Sequence, residues 1–201
     1  MANDTDAQMI VKPSAEGLAA SAKAAGAKGP PPVHLWNPPF CGDLDIRIAR
    51  DGTWFYLGTP IGRAPLVKLF SSILKREGDR YFLVTPVEKV GIRVDDAPLL
   101  AVDFEVAGQG RDQTVTFVTK TEDSVTLGPA HALRVVRDPA TGEPSPYVHV
   151  RAGLEALVDR KSFYRLVDLC VHEPHEGRDW FGLWSGGTFF PVIPSADLAA
   201  A

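Results

Sequence analysis

Two arginines at matching positions of a repeated stretch are the strongest candidates for ligand binding in this sequence. Arg63 and Arg160 each stand at the predicted start of an amphipathic helix. The positive end of a helix dipole disfavours a cation by roughly 0.3–1 kcal/mol, so each guanidinium is expected to have an anionic partner. Because arginine forms two parallel hydrogen bonds with a carboxylate or a phosphate, two such residues facing one cleft would bind an anion.

The alternative interpretation of these arginines is structural. Each would pair with an acidic side chain of the fold, such as Asp43, Asp45 or Glu88, and fix a loop. Many arginines on protein surfaces form pairs of this kind, so both interpretations stay open at the level of the sequence. The candidate ligand-binding residues are Arg63, Arg160, Asp43, Glu88, Lys89, His149 and Arg151.

The sequence patterns that would indicate catalysis or metal binding are weaker than the arginine pattern. Residues 172–176 read His-Glu-Pro-His-Glu, but Pro174 forbids the regular helix that presents two histidines to one metal ion. Cys41 is a candidate nucleophile with His34 or His149 as its base, although a small buried cysteine is the commoner case. Neither a P-loop nor a dinucleotide-binding fingerprint is present. We therefore expect no metal, no cofactor and no catalytic residue.

The composition of the 201 residues is that of an ordinary soluble protein, with 45% hydrophobic and 23% charged residues. A net charge of −4 gives no general attraction to nucleic acid, which proteins bind through basic surfaces. The two cysteines are far apart, no apolar run approaches the roughly 18 residues of a membrane span, and no signal peptide is evident. We expect a cytoplasmic protein with neither a nucleic-acid nor a membrane partner.

A stretch of ten residues that occurs twice predicts the architecture. Residues 61–70 and 158–167 match in their apolar and basic positions, and residues 77–82 and 176–181 match after them. Such internal similarity favours a duplicated unit. We predict an α+β fold with mostly antiparallel sheet, in which each unit is a hairpin, a helix and a strand. The expected divisions are 1–32 (N-terminal helix and Pro-rich spacer), 33–97 (first α+β unit) and 98–201 (second, strand-rich α+β unit).

Hydrophobic periodicity places the helices and decides one ambiguous segment. It predicts helices over residues 63–75 and 160–171, each with one apolar face. Residues 154–158 have helical propensity, but in the repeat they correspond to the predicted strand at residues 54–57, so we predict a strand there. Residues 172–179 are polar and are predicted to form a loop.

Four sequence blocks together resemble the bacterial DUF1285 family. They are NPPFCGD at residues 37–43, DGTW at 51–54, FLVTPVEKV at 82–90 and WSGGTFFP at 184–191, and the resemblance runs over about residues 14–195. It implies a duplicated α+β arrangement whose C-terminal part is similar to pleckstrin-homology-like domains. It also implies a ligand site in the cleft between the two parts and a role in signal transduction, but neither a defined ligand nor catalytic residues.

Three classes of function follow from these observations. The leading hypothesis is a non-enzymatic binding or regulatory protein that holds an anionic small molecule, or an acidic segment of a partner, in the cleft between the units. The second is a protein–protein adaptor, whose partner is either another protein or a second copy of this chain. This function requires a contiguous apolar surface patch. The third is a hydrolase using Cys41, which requires the thiol within hydrogen-bonding reach of His34 or His149.

Overall fold

The computed structural model describes residues 13–26 and 31–198, in which strands predominate over helices. Residues 1–12 and 27–30 of the predicted N-terminal helix and spacer lie outside the described residues. The described helices are α1 (Ala15–Ala25), α2 (Ala64–Ser72), α3 (Arg160–Val167) and α4 (Ser195–Leu198), with the 3-10 helices η1 (Val33–Leu35) and η2 (Gly110–Asp112). None of the described helices is long and apolar enough to cross a membrane.

Six strands of the first unit form one sheet. They are β1 (Phe40–Ile48), β2 (Trp54–Tyr56), β3 (Thr59–Pro60), β4 (Leu74–Glu77), β5 (Arg80–Val84) and β6 (Lys89–Val94). Their order is β3-β2-β1-β6-β5-β4, and neighbours are antiparallel except β1 and β6. The hairpin predicted at Asp51-Gly52 is present, and Gly52 has the positive φ, 72°, that tight hairpin turns require.

Six strands of the second unit form a second sheet. They are β7 (Leu99–Ala107), β8 (Thr114–Thr119), β9 (Ser124–Thr126), β10 (Leu133–Arg137), β11 (Pro144–Arg151) and β12 (Leu154–Val158). Their order is β10-β11-β12-β7-β8-β9, antiparallel except where β12 lies beside β7. The strand predicted at residues 154–158 is confirmed. Because β12 has a neighbour on each side, two ladders of hydrogen bonds outweigh the helical propensity of its residues.

The last three strands, β13 (Val171–His175), β14 (Arg178–Ser185) and β15 (Thr188–Pro194), form an antiparallel meander of their own. The prediction of a polar loop over residues 172–179 is therefore wrong. Residues 171–175 pair with β14 at the edge of this sheet, where a proline such as Pro174 is tolerated because one side of the strand needs no donor. The polar residues reflect an exposed edge rather than a loop.

Both units contain a hairpin, a helix and a three-stranded meander in the same chain order. In the first unit these are β1–β2, α2 and β4–β6, and in the second they are β11–β12, α3 and β13–β15. The first meander continues the sheet of its hairpin through the parallel β1–β6 pair. In the second unit β12 pairs with β7 instead, so the meander forms a separate sheet.

Both repeated helices are shorter than their periodicity predicts. α2 carries Pro65 in its first turn, where no amide donor is needed, and it ends at Ser72. It cannot continue because Leu74 already pairs with Leu83 in the first sheet. α3 ends at Val167, since β13 begins four residues later. Strand pairing outweighs the apolar periodicity at both helix ends.

One hydrophobic core runs through both units. Trp54 and Phe70 of the first unit stack with their ring centroids 6.3 Å apart, and they belong to the same buried cluster as Phe117, Leu154 and Leu166 of the second unit. Each such side chain contributes about 1.5–3 kcal/mol when it leaves water. The two units are held together by this shared packing, which fixes the walls of any groove between them.

Candidate functional site

A groove of about 680 Å³, here called the main compartment, lies between the two units. The first unit forms one wall from η1 and α2, and the second unit forms the other from the β8–β9 and β11–β12 turns. Most of the lining surface is apolar, which is typical of small-molecule sites. The large apolar side chains that line it include Val33, Pro65, Leu69, Leu74 and Leu154.

A smaller space of about 490 Å³, the side compartment, adjoins the main compartment. The two compartments share the lining residues Pro65, Lys68, Thr121 and Glu122. The ammonium group of Lys68 on α2 forms an ion pair with the carboxylate of Glu122 in the β8–β9 turn. This pair therefore stands at the boundary of the two compartments and joins the first unit to the second.

The Lys68–Glu122 pair is weak enough to be exchanged. Its side chains are 57% and 71% exposed, and an exposed ion pair contributes only about 0–1 kcal/mol. Glu122 also has a φ of 68°, a conformation that costs a residue with a side chain about 1–3 kcal/mol. The N–H of Glu122 donates to the carbonyl oxygen of Thr119 at 2.9 Å, which holds the turn. An anionic ligand can replace the Glu122 carboxylate at Lys68 without breaking that turn.

Arg151, one of the predicted ligand-binding residues, supplies a second cation to the main compartment. Its guanidinium pairs with Asp123, and its Nη2 donates a hydrogen bond to the backbone carbonyl oxygen of Ser71 at 2.9 Å. Ser71 lies in the last turn of α2, where carbonyl groups lack helical partners. Arg151 thus fixes the wall of the compartment, and the Asp123 carboxylate, which also lines it, balances its charge.

His149 lies beside this wall, and backbone groups occupy both of its ring nitrogens. Nδ1 is 2.8 Å from the carbonyl oxygen of Ala130, and Nε2 accepts a hydrogen bond from the N–H of Gly153 at 3.2 Å. The carbonyl only accepts and the amide only donates, so these partners fix the tautomer of the ring. The structure gives His149 the role of holding the β11–β12 turn, and contact with a ligand stays a prediction.

Arg160 lines a different space, the second groove, of about 660 Å³. The Tyr164 hydroxyl accepts a hydrogen bond from Nε of Arg160 at 3.2 Å, and this bond, with the nearby Glu143 carboxylate, raises the pKa of the guanidinium. The first unit contributes Arg50 to the same groove. Arg160 is therefore a permanent cation that lies near another arginine.

Arg63 does not join Arg160 in either groove. It occupies the N-cap position of α2, is exposed, and lines neither the two compartments nor the second groove. The part of the chain that the structure describes contains no ion pair of Arg63. The expectation that Arg63 binds a ligand stays a prediction.

The other three predicted ligand-binding residues lie away from these spaces. Asp43 pairs with Arg80 at 2.8 Å, and Lys89 pairs with Glu77 at 2.9 Å. Burial raises the pKa of Glu88 above its usual value. Of the seven predicted residues, Arg151 lines the main compartment, Arg160 lines the second groove, and Asp43 lines a separate space of about 560 Å³ on the first sheet.

Three residues of the main compartment were not singled out from the sequence: Lys68, Glu122 and Asp123. Lys68 carried a usable signal, because it matches the basic residue Arg165 in the repeat. Glu122 and Asp123 stand in a short polar turn, where acidic residues are ordinary. Their position opposite α2 depends on how the two units pack.

The described residues form neither an activated nucleophile nor a metal centre. The thiol of the exposed Cys41 lies 3.5 Å from the carbonyl oxygen of Pro39, and within residues 13–26 and 31–198 it makes no hydrogen bond to His34 or His149. Burial raises the pKa of the Cys170 thiol to about 12, which keeps it protonated and unreactive. No group of three or more His, Cys, Asp or Glu in the described ranges could hold a metal ion. The hydrolase hypothesis gains no support.

Comparison with known proteins identifies the family of the chain, and the descriptions of that family name no function. Residues 31–97 match "Domain of unknown function (DUF1285), N-terminal domain", and residues 98–192 match "Protein of unknown function (DUF1285), C-terminal domain". The crystal structure of a DUF1285 family protein from Silicibacter pomeroyi DSS-3 is similar at 68% identity and a TM-score of 0.82, over 91% of this chain and 98% of that one. A DUF1285 family protein from Shewanella baltica OS155 is 34% identical with a TM-score of 0.51, over 62% of this chain and 91% of that one. No curated protein matches the chain.

Proposed function

Because the chain belongs to the DUF1285 family, whose two domains are described only as of unknown function, we propose from the geometry of its site that it is a non-enzymatic binding protein for an anionic small molecule. The ligand lies in the main compartment, with an aliphatic body on the apolar wall and a carboxylate at Lys68. One observation carries this proposal. The compartment is mostly apolar, and its exposed cation Lys68 is paired across the groove with an exchangeable carboxylate, that of Glu122.

The charge of the ligand follows from the exchange at Lys68. A ligand carboxylate takes the place of the Glu122 carboxylate, so the ammonium group is never left without a partner. Arg151 is already bound to Asp123 and to the Ser71 carbonyl, so its charge is balanced and Lys68 is the cation that receives the ligand. The compartment thus favours one anionic group rather than a polyanion.

The aliphatic part of the ligand follows from the lining. Leu69 and Leu74 of the first unit and Leu154 of the second face the compartment. Each methylene that moves from water to such a surface contributes about 0.8 kcal/mol, which is about a fourfold gain in affinity. A small anion without an apolar chain gains almost nothing, because its ion pair with Lys68 is as exposed as the pair it replaces.

Calorimetric titration with octanoate, decanoate and the uncharged decanol tests this proposal. We expect affinity to rise about fourfold for each added methylene, and decanoate to bind about fivefold more tightly than decanol. Equal affinities for decanoate and decanol, or affinities that do not depend on chain length, would contradict it.

A regulatory role follows from the position of the ligand. A molecule that contacts both units binds only the folded, packed state, so it raises the free energy of unfolding. The concentration of the ligand thereby sets the fraction of folded protein that is available to a partner. This is our account of the signal-transduction role that the family resemblance implies.

A protein–protein adaptor is the second candidate function, and exposed apolar side chains favour it. Phe40 and Val87 are 48% and 66% exposed, and Phe40 lies opposite Lys89 in the β1–β6 ladder, two residues from Val87. A homodimer formed through this patch would have twice the monomer mass by light scattering, and Phe40→Ser or Val87→Ser would restore the monomer. The pleckstrin-like character of the second unit, which such an adaptor would use, stays a prediction.

A further inference from the structure

The second groove brings together two arginines from different units. Arg50 follows β1 and Arg160 begins α3, and their side chains are 62% and 74% exposed. The groove also has apolar lining from Leu100, Leu157 and Phe163. Two accessible guanidiniums beside an apolar surface supply both kinds of contact that an amphipathic anion needs.

Each guanidinium keeps hydrogen-bond donors for a ligand. Arg160 uses Nε to reach the Tyr164 hydroxyl, while its Nη1 lies 3.6 Å from the Glu143 carboxylate, beyond hydrogen-bonding distance. Arg50 donates from Nη2 to the Ser145 hydroxyl at 2.8 Å, and its Nε is 3.3 Å from Asp96. A guanidinium has five N–H groups, so these contacts hold both side chains in place without exhausting their donors.

Three acidic residues also line the groove, and two of them are hydrogen-bonded to backbone N–H groups rather than to the arginines. Asp51 accepts a hydrogen bond from the N–H of Thr53 at 2.9 Å, and Asp159 accepts one from the N–H of Ser162 at 2.7 Å as the N-cap of α3. The third, Glu143, is exposed and only loosely placed beside Arg160. Glu143 beside Arg160 and Asp96, 3.3 Å from Nε of Arg50, are therefore the carboxylates that compete with a ligand for the arginines.

We propose that the second groove is a separate binding site for a phosphate monoester carried on an apolar or aromatic body. Arg50 contacts Ser145 and Arg160 lies beside Glu143, two residues earlier in the chain. A phosphate dianion carries three acceptor oxygens and more charge than a carboxylate, so it is better suited to two neighbouring guanidiniums. The body of the ligand covers Leu100, Leu157 and Phe163. The second groove shares no lining residue with the main compartment, so this inference is independent of the function proposed above.

NMR titration of the ¹⁵N-labelled protein with phenyl phosphate tests the site. We expect amide shifts at Glu143, Ser145 and residues 157–164, which line or flank the groove. Arg50→Gln and Arg160→Gln should each weaken binding at least about tenfold, because each removes a charge-assisted contact. Arg63→Gln is the matched control, since Arg63 is also an exposed arginine beside a helix start, and it should leave binding unchanged. Glu143→Gln should strengthen binding about threefold by removing the carboxylate that competes for Arg160.

Four results would overturn the proposal. If benzyl alcohol bound as tightly as phenyl phosphate, the charge of the ligand would contribute nothing to binding. If benzoate bound as tightly as phenyl phosphate, two arginines would not be needed. Inorganic phosphate binding as tightly as phenyl phosphate would remove the role of the apolar lining. If Arg63→Gln weakened the binding of phenyl phosphate as much as Arg160→Gln does, the ligand would be bound by the Arg63 and Arg160 pair predicted from the repeat and not by this groove. Because Glu143→Gln is expected to gain affinity, a loss caused by poor folding cannot imitate the expected result.

Discussion

Arg151 of the second unit is bound to the end of α2 in the first unit: its Nη2 donates a hydrogen bond to the backbone carbonyl oxygen of Ser71 at 2.9 Å. The same guanidinium pairs with Asp123 in the β8–β9 turn. One side chain therefore ties together the helix and the two turns that form the walls of the main compartment. The groove keeps its shape through this contact as well as through the shared core.

Removal of Arg151 should accordingly destabilise the protein. We expect Arg151→Ala to lower the free energy of unfolding by about 1.5–3 kcal/mol, because Asp123 and the Ser71 carbonyl lose a charged donor. Urea unfolding measures this difference. Arg137→Ala, at an exposed arginine on β10, is the control and should change stability by less than about 0.5 kcal/mol. Equal midpoints for the two variants would show that Arg151 is not a structural link.

Gly182 is required by the close approach of β14 and β15. A Cβ at this position would lie 2.3 Å from the carbonyl oxygen of Phe190 and 2.9 Å from the Cα of Pro191, and neither backbone atom can move without breaking the ladder. We expect Gly182→Ala to cost about 2–3 kcal/mol or more in urea unfolding. Gly128→Ala is the control, since no heavy atom lies within 4 Å of its Cβ. A Gly182→Ala variant as stable as the control would contradict the β14–β15 register.

Glu77 should give the protein a measurable sensitivity to acid. Hydrogen bonds from Lys89 and Lys75 hold the pKa of Glu77 below its usual value of 4.5. A carboxylate whose pKa is lower in the folded state stabilises the protein above its unfolded pKa, and that stability is lost as the pH falls through the folded pKa. The Glu77→Gln variant should therefore be less stable by about 0.5–1 kcal/mol at pH 7 and should match the wild type at the acid end.

Urea unfolding of both proteins from pH 7 down to the acid limit of folding measures this convergence. Glu105→Gln, at an exposed carboxylate without an ion pair in the described part of the chain, is the control and should change stability at pH 7 by less than about 0.5 kcal/mol. If the difference in free energy of unfolding between Glu77→Gln and the wild type does not shrink in acid, the lysines stabilise the fold without Glu77.

The two cysteines should differ sharply in reactivity. Cys41 is exposed, whereas burial raises the pKa of the Cys170 thiol to about 12 and leaves almost no thiolate at neutral pH. In the native protein, a disulfide reagent such as Ellman's should react with one thiol, and Cys41→Ser should abolish that reaction. The second thiol should react only after unfolding in urea. Two thiols that react at similar rates in the native state would contradict the packing around Cys170.

The repeat carried most of what the sequence revealed about the fold. It identified residues 154–158 as a strand against their own helical propensity, while local patterns predicted the Asp51-Gly52 hairpin and the two helices. Local patterns failed where strand pairing between distant segments decided the outcome. The two helices end early because Leu74 and Val171 enter sheets, and residues 171–175 are a strand because β14 lies beside them.

The site was less predictable than the fold, for a physical reason. Arg151 and Arg160 were selected for their charge, and both line grooves. The other arginine in the groove of Arg160 is Arg50, however, and not Arg63. Glu122 faces Lys68 only because the β8–β9 turn packs against α2. Such contacts between units depend on tertiary packing, which has no local signature in the sequence.

The exchange of carboxylates at Lys68 is the central claim, and opposite effects of two neutral substitutions test it most directly. Lys68→Gln removes the cation that receives the ligand, and Glu122→Gln removes the carboxylate that competes with it. We expect decanoate to bind about fivefold more weakly to Lys68→Gln and severalfold, about three- to fivefold, more tightly to Glu122→Gln, while decanol binds both variants equally. If both substitutions change decanoate affinity in the same direction, or change decanol affinity as much, Lys68 is not the anion receptor of this groove.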